Sequence, residues 1–434
     1  MTPETNWDKS VDVVVVGGGP SGSTTATLLA QHGHRVLVIE KTKFPRFHIG
    51  ESLMPDSYWT FKRLNMLEKL KKSCFVKKYS VQFVSSSGRE SAPFYFDEMN
   101  PHESSQTWQV LRSEFDELLL NNAAEHGAEV WQESLVEEVL FDRPVRRGEE
   151  PGAAGGDEPR ATGVTVRRGG GLPQRISANV VVDATGTSAV LQKKLGIRRA
   201  DPNLRKAAIF GHYRGARREP GKDEGATLVL NIQGQAGWFW YIPLADDIMS
   251  VGAVGDIDYL IKGRGTPEQT LEEEIQRCPT LGPRLEKATR VSPVHVLSDF
   301  SYGATRCAGA GWVLVGDALA FLDPIYSSGV FLALKSGELA ADAIHAALEA
   351  NDLSAEKLGA WGQDYYKGVQ AIRKLVYAFY EKGFSFGKFV RENPHFKRNI
   401  TELLVGDVFR PEVNEVFGTM KNYIPLPEPL TLGR

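Results

Sequence analysis

Three glycines and one carboxylate carry the first legible chemistry. In VDVVVVGGGPSGSTTATLLAQHGHRVLVIEK, residues 11–41, Gly17, Gly19 and Gly22 stand at GxGxxG spacing and Glu40 follows 18 residues after the last. In such a unit the first glycine makes a tight turn and the second lets backbone approach a pyrophosphate. The third lets helix pack closely on strand, and the acid accepts from a ribose hydroxyl. A carboxylate at position 40 disfavours a 2′-phosphate, so the chemistry is that of FAD or NAD rather than NADP. Lys41, beside it, joins the candidate cofactor contacts.

A second constellation lies in GAGWVLVGDALAFLDPIYSSGVFLALKSGELAADAI, residues 309–344. Asp317 follows a short apolar strand, where its carboxylate can accept from a ribityl hydroxyl. Pro324 precedes a helix that starts near Ser328, with Gly329 and Val330 in its first turn. A helix start aims unpaired N–H groups outward, at a ring oxygen or an anion. VVVDATGTSAV, residues 180–190, supplies a third strand-to-helix connection, with Asp183 and Gly186. One further stretch is ambiguous alone: GWFWYIPL, residues 237–244, is either a core strand or a wall built for a reaction.

The elements that must position these residues follow from hydrophobic periodicity. Apolar strand, glycine turn, helix and second apolar strand at residues 11–41 form a βαβ unit of an α/β protein. Segments 77–110 and 205–256 alternate apolar and polar residues, which predicts a half-buried antiparallel sheet on the substrate side. Residues 143–160, rich in Gly, Pro and charge, predict a mobile excursion between two strands. From about residue 346 the chain reads as helical and dense in aromatics, a spacing that favours core. These readings divide the chain into a discontinuous cofactor domain (1–76, 111–204 and 296–345), a substrate-side sheet domain (77–110 and 205–295) and a C-terminal helical region (346–434).

Composition narrows the function classes. The 434 residues carry a net charge of -3 without the basic bias of a nucleic-acid binder. Three cysteines lie far apart without a CxxC pair, and the histidines show no ligand spacing, so neither a disulfide framework nor a metal site is expected. A polar start and the lack of any apolar run near ~18 residues predict a cytoplasmic protein with no signal peptide or membrane span.

In order and spacing, the GxGxxG, DATG and GDA…P…G segments resemble the FAD monooxygenase superfamily with the para-hydroxybenzoate hydroxylase fold. That resemblance implies a Rossmann-like FAD-binding domain of the para-hydroxybenzoate hydroxylase and glutathione reductase type. LRSEFDELLL, residues 111–120, matches the family helix whose arginine joins the FAD site, here Arg112. Three further segments are similar to flavin-dependent halogenases: Trp238 to Pro243 as WxWxIP, GESLMP with Glu51 and Ser52 beside the flavin ring, and Lys78 to Phe83 in the K-x-x-V-x-F segment of the catalytic lysine.

What this resemblance implies is an enzyme that uses reduced FAD, O2 and chloride or bromide to make hypohalous acid, then aims it down a tunnel at one carbon of a separate substrate. Lys78 would polarise the oxidant or carry it as a haloamine; Lys77, next door, is the competing lysine. Trp238 and Trp240 would block the substrate from the flavin, and the halide would lie against the backbone N–H groups of Ser328 and Gly329. Tryptophan halogenases carry a glutamate just before the halide loop where this chain has Tyr326. The departure makes the chain look more like halogenases of phenols and pyrroles, including carrier-protein thioesters. A separate NAD(P)H flavin reductase is the implied electron source. An aromatic hydroxylase, or a geranylgeranyl reductase-like oxidoreductase of the same fold with the tryptophans as core, is the rival reading; covalent attachment of FAD is left open.

Overall fold

The computed structural model describes residues 7–433 apart from 99, 146, 149–157 and 299. Its first sheet carries five parallel strands in the order Trp312–Leu314, Gln174–Asp183, Lys9–Val16, Val36–Ile39 and Glu129–Trp131. The central strands are almost wholly buried runs of valine, as expected of a parallel sheet covered on both faces. Helix Pro20–Gln31 follows the glycine turn and packs against both Ser328–Glu349 and Arg112–Glu125. The motif-bearing elements therefore meet along one sheet although they are remote in sequence.

The glycine turn is dictated by sterics. Gly17 has φ +108°, and a Cβ there would sit 2.3 Å from the Ala184 carbonyl oxygen. At Gly22 a Cβ would stand 2.0 Å from the Gly17 carbonyl oxygen, closer than any side chain tolerates. The chain can pass from strand to helix this tightly only without side chains at these two points.

The second sheet runs Thr289–Arg290, Lys206–Arg214, Ile248–Asp256, Gly237–Pro243, Thr227–Asn231, Ser80–Val84 and Phe94–Tyr95. It corrects the expectation in two ways. Thr227–Asn231 pairs with Ser80–Val84 in parallel, because the chain passes through the first sheet between them and no hairpin constrains their direction. It is also buried on both faces rather than half-buried. Ala208, Phe210, Trp238 and Trp240 face the main core and cavity, whereas Ile209, Phe239 and Tyr241 pack on Leu271 and Ile275 of helix Pro267–Arg277. The alternation is real, but it separates two apolar environments.

The chain then folds as helices Gly362–Tyr380, Phe386–Glu392, Lys397–Val405 and Val416–Met420. Of the excursion at 143–160, residues 146 and 149–157 lie outside the described part. Among the described residues no helix is long and apolar enough to cross a membrane, and no group of His, Cys, Asp or Glu could hold a metal ion.

Candidate active site

A cavity of about 670 Å³ lies between the two sheets. It is lined by Gly17, Gly19, Glu40 and Lys41 at one end, by Glu51, Ser52, Arg112, Asp317 and Pro324 along its length, and by Trp238, Trp240, Ser328, Gly329 and Val330. All the expected cofactor residues except Gly22 are thus brought together; Gly22 shapes the turn from behind.

Each has a definable part. Glu40 accepts from the Gly18 N–H at 2.9 Å and from the Thr42 N–H and hydroxyl at 2.9 and 2.7 Å, so its carboxylate is fixed at the cavity end. Lys41 is exposed at the rim. Arg112 is buried, not solvated: Asp116 receives two of its N–H groups at 2.7 and 2.9 Å, and the Ile49 and Gly50 carbonyls receive Nη1. It therefore ties the 46–50 loop to the helix it starts. Asp183 accepts from Thr185 and the Leu191 N–H, which commits it to structure.

The fit to FAD rests on what the cavity leaves open. Helix Pro20–Gln31 begins at Gly19 with no side-chain cap, so its first N–H groups remain available to a pyrophosphate. Asp317 accepts no hydrogen bond from a described residue, and burial pushes its carboxyl up to about 7 against the pull of Arg112. Glu51 Oε1 is hydrogen-bonded to His212 Nε2 at 2.7 Å, while Oε2 is buried without a partner among the described residues. Unmatched acceptors on an apolar wall suit a ligand with hydroxyl and imide donors, as FAD has.

A second, far smaller cavity of about 20 Å³ adjoins the first, and Thr227, Ile325 and Ser327 line both. Its other walls are Met54, Pro55, Val81, Phe83, Phe96, Tyr326, Leu404 and Lys78. Strand Val76–Lys78 pairs with Thr107–Gln109, and the two-residue alternation turns Lys77 to solvent and Lys78 inward. Lys78 is 4% exposed and donates to Ser52 Oγ at 2.8 Å and the Leu53 carbonyl at 3.1 Å. Its ammonium lies 5.4 Å from the centre of the Phe96 ring and has no carboxylate partner among the described residues. Burial accordingly pulls its pKa down to about 7. Ser52 lines the large cavity and holds Lys78 in the small one, so the GES segment bridges the two.

The tryptophans form the wall beside the large cavity, their ring centres 6.3 Å apart. Their N–H groups are committed: Trp238 donates to Tyr380 Oη and Trp240 to Ser250 Oγ, each at 3.0 Å. Gly252 makes room for the second indole, since a Cβ there would stand 2.2 Å from it. Neither ring has a free polar atom, which suits a barrier and not a proton carrier. Helix Ser328–Glu349 starts at Ser327, whose φ of +57° turns the chain so that Ser328 and Gly329 meet the cavity.

Comparison with known proteins decides the family. The model for FAD dependent oxidoreductases matches residues 12–194. Over 411 residues the chain is 32% identical to the 1H-pyrrole-2-carbonyl peptidyl-carrier protein brominase of Pseudoalteromonas luteoviolacea, covering 92% of this chain and 93% of that one. It is 30% identical to the corresponding chlorinase of Pseudomonas fluorescens, over 96% and 94%. The chain belongs to the flavin-dependent halogenases. Its fold superposes on flavin-dependent brominase Bmp2 with a TM-score of 0.83 at 30% identity, over 96% of this chain and 99% of that one. The myxobacterial chondrochloren halogenase CndH superposes at 0.78, also at 30% identity, over 98% and 100%.

In this halogenase several site residues have no sequence signature. His212 comes from the second sheet, and Thr227 links Ser52 Oγ at 3.0 Å to Gln109 Nε2 at 2.8 Å. Asp323 and Tyr380 meet behind Trp238. The Asp-Pro pair before the helix start is the one local signal that marks any of them, Asp323.

Proposed function

We propose that this halogenase transfers chlorine or bromine to a pyrrole held as a thioester on a carrier protein. The relatives at 32% and 30% identity are named for that substrate, which supports the reading. A relative at 33% identity is a sulochrin halogenase, so a phenolic acceptor is the next candidate. The observation that carries the mechanism is Lys78 in its own apolar chamber, next to but outside the flavin cavity.

Gly17, Gly19 and the start of the first helix would hold the FAD pyrophosphate, Glu40 and Lys41 its ribose end, and Asp317, Pro324, Gly329, Val330, Glu51 and Ser52 the flavin side. Arg112 positions the loop that covers it. Bound FAD, reduced by a separate NAD(P)H flavin reductase, would supply the electrons with which O2 and halide become hypohalous acid and water. The halide rests against the N–H groups of Ser328 and Gly329. Trp238 and Trp240 keep the organic substrate away from the flavin, and Thr227, Ile325 and Ser327 frame the passage to Lys78.

With its pKa near 7, Lys78 offers both an ammonium that donates to the oxidant and a free amine that can take the halogen. Ser52 and the Leu53 carbonyl orient it. The electron-rich ring needs no strong base, so Tyr326 can stand where other halogenases have a glutamate. The test is turnover of carrier-bound pyrrole, and of free phenols, with purified reductase, O2 and bromide. Bromine in the product by mass spectrometry is expected; a hydroxylated product without bromine overturns the reading.

A further inference from the structure

The last turn of helix Gly362–Tyr380 touches the tryptophan wall and the halide loop at once. Trp238 Nε1 donates to Tyr380 Oη at 3.0 Å, and Tyr380 Oη donates to Asp323 Oδ2 at 3.0 Å. The indole N–H can only donate, and an ionised carboxylate can only accept, so the chain runs from Trp238 through Tyr380 to Asp323. Asp323 Oδ1 accepts from the Ile325 N–H at 3.0 Å, capping the turn that leads into Ser327 and Ser328. Phe379 repeats the linkage through its ring, edge-on to Trp238 at 6.1 Å and to Tyr326 at 6.4 Å. Tyr326 Oη in turn donates to the Leu375 carbonyl of the same helix at 3.1 Å. The Lys206 ammonium lies 3.9 Å from the centre of the Tyr380 ring and pairs with Asp256 at 2.7 Å, so the ring itself is held.

We propose that Tyr380 is a positioning residue that locks the tryptophan barrier to the halide loop, so that halide is held in register with the wall that keeps substrate out. The inference rests on the halogenase reading of the site. Were Tyr380 mere core, removing its hydroxyl would lower stability and leave the ratio of kinetic constants alone. As a coupler, its loss leaves Trp238 N–H and Asp323 Oδ2 unmatched beside the cavity, and both wall and loop shift.

Alongside product yield and melting temperature, the test compares wild type with Tyr380→Phe and Asp323→Asn by three readouts. These are FAD affinity by flavin fluorescence, the bromide dependence of turnover, and the bromide-induced change in the absorbance of bound oxidised FAD, which needs no turnover. Tyr380→Phe is expected to retain FAD within about twofold while raising both the bromide KM and the bromide concentration for half the absorbance change roughly tenfold. The share of reduced flavin that ends as brominated product should fall with them, and Asp323→Asn should show the same bromide pattern. Unchanged bromide dependence in either readout, or a loss of melting temperature alone, overturns the proposal. Absence of bromine in the wild-type product would instead sink the halogenase reading, and the absorbance titration would still decide the linkage.

Discussion

The two adjoining cavities share apolar walls and differ in size and in the charged groups set into them. The larger, about 670 Å³, carries glycine backbone, a helix start and four carboxylates, Glu40, Glu51, Asp317 and Asp323. The smaller, about 20 Å³, is lined mainly by apolar groups and holds one ammonium. A large ligand with many donors needs matched acceptors along its length, whereas a lysine tuned to act near neutral pH needs their absence. The difference fits Ser52, a neutral group of the large cavity, as a partner of Lys78: a carboxylate at that point would hold Lys78 charged.

Breaking the small side should have the largest effect. Lys78→Ala is expected to reduce halogenated product by roughly 100- to 10,000-fold, the range for loss of a positioned proton donor or acceptor, with FAD binding intact. On the large side, Gly17→Ala forces a Cβ against the Ala184 carbonyl at a φ of +108°. Strain of that kind is worth about 1–3 kcal/mol, so FAD affinity by fluorescence titration should fall roughly 10- to 100-fold. At the boundary, replacing Trp238 and Trp240 together by Phe keeps an apolar wall but thins it. Product analysis should then show oxygenated by-products at the expense of the halogenated one; an unchanged profile would make the pair plain core.

The smallest effect concerns stability and sharpens the electrostatic contrast. Lys78 in the folded chain has a pKa of about 7 against an ordinary 10.5, so between those values the unfolded chain binds the extra proton. Stability from this group therefore rises with pH across that window, and its burial penalty is complete below it. Lys78→Met, of similar volume, should raise the melting temperature more at about pH 6 than at about pH 10. An equal shift at both would mean that Lys78 stays charged in the fold.

Sequence and structure agree best where the chain is forced by local sterics. Gly17 and Gly22 are required by contacts within a single turn or with the neighbouring strand, and Glu40 lies one strand away, so spacing exposes all three. Lys78 stood apart from Lys77 only through the K-x-x-V-x-F resemblance; it is the structure that turns Lys78 inward and Lys77 to solvent. Alternation misled for the second sheet, where gaps in the apolar pattern are small residues such as Gly252 and Ser250 that admit the Trp240 ring. His212, Thr227 and Tyr380 meet Glu51, Ser52 and Trp238 across 161, 175 and 142 residues, and no period encodes such a meeting. The aromatics of the last helices read as core; Tyr380 is core that also carries a hydrogen bond to each side of the site.

The central claim is that oxidant is made in one cavity and used at the other through Lys78. Its most direct test is to follow reduced-flavin consumption and halogenated product in the same reaction with Lys78→Ala. Flavin consumption within about twofold of wild type with product lost by at least about 100-fold is expected; product formation at the wild-type level, or flavin consumption falling in step with product, would contradict it.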